Sequence, residues 1–216
     1  MFRVGTAMGD VASAIGYRAE DAELVRELQA GSELAFDHLV ATYHAPLYSL
    51  IARSLQNPGD AADITQEVFI KVFRSIGGFH GDSSLKTWIY RIALHEASNQ
   101  RRWWSRHKKQ EVTIDCDAAE DESGEAFSQR DSLADQRESP FDYASQAETR
   151  ARVEAALREV PENFRSVVIL REMEGMQYDE IAEILSLNIG TVKSRLLRGR
   201  TALRLALLQQ KGIQRA

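Results

Sequence analysis

The sequence predicts an all-α protein in which two small helical domains are joined by a flexible acidic linker. Residues that break helices are scarce, because 13 Gly and 4 Pro in 216 residues amount to about 8%, against roughly 12% in average proteins. Apolar residues recur at three- and four-residue steps, the period of a helix, along most of the chain. An acidic stretch at 111–142 interrupts this period, so the chain divides into two helical parts.

The composition excludes several classes of protein. No apolar run approaches the ~18–20 residues of a membrane span, and Asp10 interrupts the apolar stretch that a signal peptide would need. The single cysteine, Cys116, can form neither an intrachain disulfide nor a cysteine-based zinc cluster, which fits a reducing compartment. We therefore expect a cytoplasmic protein without direct membrane insertion.

The first domain is predicted at 20–104, after a tail at 1–19. The tail is rich in Gly, Ala and Ser without a clear period, and we expect it to be flexible. The helical period begins at Asp21 and, after a break at Gly31 and Ser32, continues to Tyr43. Because the fixed φ of proline suits a first turn, Pro46 is predicted to open another helix.

Two further helices complete the predicted first domain. Asp60 is the expected N-cap of a helix whose apolar residues recur every four positions. That stripe consists of Ile64, Val68, Val72 and Ile76. Gly77 and Gly78 are predicted to end it, and a short loop then leads into a long helix from about Ser84 to Trp104.

The linker is predicted at 105–146. Within it, the stretch 111–142 holds eleven acids and two bases, a net charge of −9, and few large apolar residues. Such a composition is typical of a disordered or extended segment. The formal net charge of the whole chain is −5, so the remainder carries +4. The acidic total therefore does not exclude a nucleic-acid partner.

The second domain is predicted at 147–212. Pro161 separates its first two helices, and a short helix from Tyr178 to Leu185 follows. A turn then leads into a final helix from Ile189 to about Gln210. A short helix, a tight turn and a longer helix form the pattern of a helix-turn-helix.

The final helix has the side chains that reading of a DNA major groove requires. Four apolar residues share one face: Val192, Leu196, Leu203 and Leu207. Short hydroxyls and long cations cluster elsewhere: Thr191, Lys193, Ser194, Arg195 and Arg198. After Glu183 the chain has seven bases and no acid, which favours DNA binding over a surface helix with merely solvated cations.

Aromatic and basic side chains are combined in the long helix of the first domain. The set is Lys86, Trp88, Tyr90, Arg91, Asn99, Arg101, Arg102, Trp103 and Trp104, followed by Arg106, His107, Lys108 and Lys109. Aromatic faces can stack on unpaired bases while cations follow the backbone. A core position is the favoured alternative for Trp88 alone, but the whole cluster favours contact with single-stranded DNA.

An acidic stripe follows from the three- and four-residue spacing of Asp60, Asp63 and Glu67 on one helix. Taken alone, such a stripe is most often a solvated face. Enzyme signatures are absent from the sequence, which has no phosphate-binding glycine loop, no nucleophile elbow and no histidines at ligand spacing. We expect no catalysis, no cofactor and no bound metal.

Taken in order, these motifs resemble the extracytoplasmic-function (ECF, group IV) sigma factors of bacterial RNA polymerase, within the sigma-70 family. The resemblance covers about residues 20–104 and 147–210. It rests on the segments 63–71 (DITQEVFIK), 79–83 (FHGDS), 87–93 (TWIYRIA), 170–182 (LREMEGMQYDEIA) and 190–195 (GTVKSR). It implies that the first domain is sigma region 2 and the second is sigma region 4.

The resemblance implies a role for each cluster of residues. The acidic stripe, with Asp60, Asp63, Gln66 and Glu67, would dock on the clamp helices of the polymerase β′ subunit. Residues for recognition and melting of the −10 element would be Ile76, Phe79, His80, Ser83, Lys86, Trp88, Arg91, His95, Asn99 and Arg102. Thr191, Lys193, Ser194, Arg195 and Arg198 would read the −35 element.

The resemblance also implies partners: core RNA polymerase through its β′ clamp helices and β flap, promoter DNA, and an anti-sigma factor. No small-molecule substrate is expected. Three positions depart from the family pattern. His95 stands where some relatives carry Asn, Asn188 replaces a common Pro, and Ser186 occupies a turn position where Gly is frequent. Asn188 is expected to cap the reading helix.

Two other functions are compatible with the same features. A dimeric helix-turn-helix transcription regulator would bind a palindromic DNA site. A helical adaptor that does not bind DNA would associate with its partner without the steep salt dependence that phosphate contacts impose.

Overall fold

A computed structural model describes residues 19–55, 58–111 and 140–213, and all regular structure in these segments is helical. The helices are α1 (Ala19–Gln29), α2 (Glu33–Ser54), α3 (Ala61–Ser75), α4 (Leu85–Glu111), α5 (Pro140–Glu159), α6 (Glu162–Val168), α7 (Tyr178–Ile184) and α8 (Ile189–Ile213). Short 3-10 turns lie at Pro58–Asp60 and Ile76–Gly78, and a π-helical turn at Ile169–Met173 extends α6. The all-α prediction is confirmed. None of the described helices is long and apolar enough to cross a membrane.

Helix α2 corrects one prediction about the first helical unit (residues 19–111). Pro46 does not open a new helix but lies inside α2. Leu39, Leu47 and Leu50 on this helix are completely buried, so one apolar face runs past the proline. Packing of that face offsets the hydrogen bond that a proline inside a helix removes.

The core of the first unit forms where α2, α3 and α4 pack together. The predicted stripe of Ile64, Val68, Val72 and Ile76 is confirmed, since each of these side chains is buried. On α4, Leu85, Ile89, Tyr90, Ala93 and Ala97 are buried against it. Helix α3 ends at Ser75, directly before the predicted stop at Gly77 and Gly78.

The helices extend further into the predicted linker than the sequence predicts. Helix α4 continues to Glu111 rather than ending near Trp104, and α5 begins at Pro140 rather than near Ala147. Residues 105–111 favour helix because they are mostly Arg, Lys, Gln and Glu. Pro140 occupies the first position of α5, where its missing N–H costs nothing. The rest of the predicted linker, 112–139, and most of the predicted tail, 1–18, lie outside the described residues.

The second helical unit (residues 140–213) buries one face of each of its helices. The buried residues include Ala156, Leu157, Val160, Val167, Val168, Ile181, Ile184, Val192 and Leu196. Helices α6 and α8 approach closely at Gly199, since a Cβ placed on it would lie 2.5 Å from Val168 Cγ2. The helix-turn-helix of α7 and α8 is therefore held on a close-packed support.

Arg165 on α6 is the buried cation of the second unit, with 6% of its surface exposed. Its Nε and Nη2 donate to the carbonyl oxygen of Val160, at 3.1 and 3.0 Å, and Nη2 also donates to that of Arg158 at 2.7 Å. Burial lowers the pKa of Arg165 below its ordinary value. The side chain ties the end of α5 to α6, because a helix end leaves carbonyl groups without intrahelical partners.

The two units are in contact, chiefly through α4 and α7. Leu94 of α4 and Leu185 beside α7 line one cavity between the units. Ion pairs also join the units, among them Arg53 Nε of α2 with Glu154 Oε1 of α5 at 2.8 Å. The two units therefore pack with a partly apolar centre and a charged border.

Candidate nucleic-acid and polymerase interfaces

The loop between α3 and α4 carries four of the predicted −10 residues. Ile76, Phe79 and Ser83 are buried, whereas His80 is exposed. The ring of Phe79 packs against that of Trp88, with 5.0 Å between their centroids and a tilt of 41°. The buried side chains form the floor of the loop, and His80 with the adjacent main chain forms its accessible surface.

A residue from outside the predicted site holds this loop. The amide Nε2 of Gln29, the last residue of α1, donates to the carbonyl oxygens of Ile76 at 3.2 Å and Phe79 at 2.9 Å. Sequence reasoning missed Gln29, because the contact joins residues about fifty positions apart and no local pattern reports it.

A polar stripe runs along α4. Trp88, Arg91, His95, Asn99 and Arg102 follow one another at three- and four-residue steps, so they share one side of the helix. Arg102 Nη2 donates to Asn99 Oδ1 at 2.5 Å, and Asn99 Nδ2 lies 3.1 Å from His95 Nδ1. The stripe presents a cation, ring and amide surface about four turns long, which is suited to a strand of unpaired nucleotides.

Glu96 lies beside this stripe, and neighbouring side chains compensate the negative charge of its carboxylate. It forms an ion pair with Lys71 of α3 and lies 3.2 Å from His95 Nδ1. Burial opposes ionisation of Glu96, but hydrogen bonds from Lys71 and His95 hold its pKa below the ordinary value. The compensated carboxylate leaves the outer face of α4 basic.

Two predicted −10 residues contact the second unit. Lys86 Nζ donates to the carbonyl oxygen of Glu174 at 3.2 Å, and Arg91 Nη1 lies 3.4 Å from Glu183 Oε1. Between them, Tyr90 OH donates to Glu174 Oε2 at 2.7 Å. Burial and this carboxylate raise the pKa of Tyr90 far above its ordinary value. Tyr90 was in the aromatic and basic cluster but was not among the predicted site residues.

The predicted polymerase-docking stripe lies on α3 and the turn before it. Asp63, Gln66 and Glu67 are exposed, and Asp60 is half-buried at the N-cap position. Asp60 occupies the predicted N-cap position, but its side chain makes no capping hydrogen bond. A groove of about 760 Å³ lies between Glu67 of α3 and Trp103 of α4, and Trp103 is 45% exposed.

The reading helix α8 is built as the sequence predicts. Asn188 caps it, since its Oδ1 accepts from the backbone N–H of Thr191 at 2.7 Å. Ser186, in the preceding turn, has a φ of 52°, the left-handed conformation that favours the glycine common at this position. Val192 and Leu196 are buried against the supporting helices.

The five predicted −35 residues lie within the first half of α8 but differ in accessibility. Lys193, Ser194 and Arg198 are exposed, whereas Thr191 and Arg195 are half-buried. Arg195 lines a cavity of about 140 Å³ between the units. The structure therefore presents three of the five residues to solvent and directs Arg195 toward the first unit.

The described residues hold no cluster of His, Cys, Asp and Glu that could bind a metal ion. What they bring together is a basic and aromatic stripe, a braced loop, an acidic stripe and a capped helix-turn-helix. Long cations, exposed hydroxyls and an aromatic platform are groups that contact DNA phosphates and bases.

Two helical units of this kind define a two-domain protein that recognises DNA. The family model described as Sigma-70 region 2 matches residues 39–107, and the one described as Sigma-70, region 4 matches residues 150–203. The chain belongs to the sigma-70 family, in its extracytoplasmic-function group, as predicted. It is thus an RNA polymerase sigma factor, which directs promoter-specific initiation of transcription.

Curated relatives match over most of their length. The chain is 36% identical to the RNA polymerase sigma-H factor of Pseudomonas aeruginosa over 188 residues, which is 87% of this chain and 94% of the relative. It is 35% identical to the ECF RNA polymerase sigma-E factor of Escherichia coli over 183 residues, 85% of this chain and 92% of the relative.

Solved structures share the architecture. CnrH, in complex with the cytosolic domain of CnrY, aligns with a TM-score of 0.59 and 25% identity, covering 87% of this chain and 96% of CnrH. The sigma factor RpoE of Bartonella quintana, in complex with the anti-sigma factor NepR, aligns with a TM-score of 0.61 and 23% identity, covering 80% and 96% of the two chains. The second likeness supports the fold alone.

Proposed function

We propose that this sigma factor recognises both elements of its promoter with separate units, and that it has no catalytic activity of its own. Residues 20–104 act as sigma region 2 and residues 147–212 as sigma region 4, with 105–146 between them. The observation that carries the proposal is the presence in one chain of a stripe suited to unpaired bases and a helix-turn-helix suited to a major groove.

The −10 element is assigned to the loop 76–83 and the stripe on α4. His80 and the loop main chain contact an unstacked base, and Ile76, Phe79 and Ser83 support that surface from beneath. Lys86, Trp88, Arg91, His95, Asn99 and Arg102 follow the melted strand. A fixed pocket for one base offsets the few kcal/mol that unstacking costs.

Recognition of the −35 element is assigned to the first half of α8. Lys193 and Arg198 provide exposed long cations, and Ser194 provides a short hydroxyl between them along the chain. Thr191 lies at the capped N-terminus of α8, and the N-terminus of a helix favours binding of a phosphate. Arg195 completes the set once the two units have separated.

Binding of core polymerase is assigned to two surfaces. The second unit contacts the β flap, and the β′ clamp helices are contacted by the acidic stripe of Asp60, Asp63, Gln66 and Glu67. Three of the four stripe residues are exposed, so the carboxylates are available to a basic partner. We infer a cytoplasmic protein, because polymerase and promoter DNA are there.

An anti-sigma factor is the inferred regulator. This inference is supported by the solved structure of CnrH in complex with the cytosolic domain of CnrY, the 25% identical relative. The contact between α4 and α7 offers such a partner both units side by side.

Run-off transcription with core RNA polymerase tests the proposal. Core enzyme with this chain is expected to initiate at a matching promoter, and Arg198→Ala should weaken initiation from promoters that depend on the −35 element. Arg204→Ala removes the same charge six positions further along α8 and should have little effect. Tight binding of duplex DNA by the chain alone, without association with core polymerase, would contradict the proposal and favour the dimeric regulator.

A further inference from the structure

Gln29 braces both ends of the turn that begins the proposed −10 loop. Its single NH₂ group donates to the carbonyl oxygens of Ile76 and Phe79, and the N–H of Phe79 donates to the same Ile76 oxygen at 3.0 Å. The two braced residues enclose Gly77 and Gly78. A Cβ added to either glycine would meet nothing within 4 Å.

The glycine pair explains why the loop needs a brace. Glycine has the widest choice of backbone conformations, and no neighbouring side chain confines these two. The buried side chains of Ile76 and Phe79 hold the flanks of the turn, whereas the Gln29 amide fixes their carbonyl groups. Val25 and Leu28 of the same helix are buried, so the brace stands on a rigid support.

We propose that Gln29 is a positioning residue for base recognition at the −10 element. It holds the main chain from Ile76 to Phe79 in the conformation that receives the unstacked base, without contacting DNA itself. This inference rests on the proposed −10 role of the loop. Gln29 lies outside the segment 39–107 that matches the region 2 family.

The test compares Gln29→Met, which keeps the length of the side chain and removes its donors, with Glu27→Gln on the same helix, whose side chain is exposed. Holoenzyme is bound to single-stranded oligonucleotides spanning the −10 sequence mapped by run-off transcription. Each position carries in turn the four bases and an abasic site. The ratio of the affinities for the best and worst base measures discrimination.

Gln29→Met is expected to lower this ratio about 3- to 10-fold at the unstacked position, because the loop loses the two hydrogen bonds that hold its main chain in one conformation. The affinity for the abasic oligonucleotide should stay within about 2-fold of the wild-type value, since no base is recognised there. An unchanged ratio would overturn the inference, and so would an equal loss for all oligonucleotides. If wild-type holoenzyme discriminates at no position, the −10 assignment itself fails; if it discriminates and Gln29→Met does so equally, only the role of Gln29 fails.

Discussion

Replacing Gly199 by alanine tests whether the helix-turn-helix depends on the close approach of α6 and α8. A Cβ at Gly199 would lie 2.5 Å from Val168 Cγ2 and 3.2 Å from both Cβ and the carbonyl oxygen of Phe164. Carbon atoms pack at about 3.5–4.0 Å, so the helices must separate by about 1 Å. Val168 is 1% exposed and one Phe164 atom is backbone, so neither can move aside.

Two terms of opposite sign decide the size of the effect. Overpacking a close-packed core costs about 1–3 kcal/mol, whereas exchanging glycine for alanine inside a helix gains about 1 kcal/mol. Gly190→Ala isolates the second term, because its Cβ would meet only Asn188 Oδ1, at an ordinary 3.4 Å. We therefore expect Gly199→Ala to be less stable than Gly190→Ala by about 1–3 kcal/mol.

Urea unfolding monitored by circular dichroism measures this difference. Trp88, Trp103 and Trp104 all lie in the first unit, so tryptophan fluorescence follows that unit separately. The loss should occur in the circular dichroism transition of the second unit. Equal stability of the two alanine variants would refute the close-packing argument.

Three further outcomes are expected. Arg198→Ala in the holoenzyme should weaken binding of −35 duplex by about 1–3 kcal/mol, measured by titration, if Arg198 reads a base. Glu96→Gln should remove part of the loss of stability in acid. The pKa of Glu96 is lowered in the folded protein, so its carboxylate stabilises the fold at pH values above the ordinary pKa of 4.5, and this contribution is lost as the pH falls through the folded pKa. Urea unfolding at several pH values measures the difference. Arg165→Met should destabilise the second unit by about 2–3 kcal/mol in the same assay, because buried carbonyl groups at the end of α5 lose their donors.

Local patterns predicted most of the helices, because their causes lie within a few residues. The four-residue stripe from Ile64 to Ile76 and the Asn188 cap both depend on contacts between near neighbours in sequence. The prediction that Pro46 opens a new helix was wrong, because the local preference of proline for a first turn is weaker than the packing of a buried helix face that continues on both sides of it. The extension of α4 to Glu111 was missed because the linker was predicted to begin directly after Trp104, although residues 105–110 carry no acid and favour helix.

The braced loop and the contact between the units could not be predicted from local patterns. Gln29 reaches residues about fifty positions away, and Glu174 meets Lys86 and Tyr90 across more than eighty. Each is a single polar residue in an ordinary helical context, so nothing in its neighbours reveals a distant partner. The residues proposed for the −10 and −35 elements were chosen from family motifs, whereas their accessibility depends on how the units pack.

The net charge of −5 has a different meaning once the contacts between the units are known. The sequence separates a strongly acidic stretch from a remainder of +4. Within that remainder the main-chain carbonyl of Glu174 accepts from Lys86, and the Glu183 carboxylate lies 3.4 Å from Arg91. Salt then acts on two terms of opposite sign: it screens ion pairs that keep the units together, and it weakens contacts between cations and phosphates. A shallow salt dependence of strand binding by the free chain is thus compatible with extensive phosphate contact, because salt favours separation of the units and disfavours binding of the strand. The salt slope reports on phosphate contacts directly only for molecules in which the units are apart.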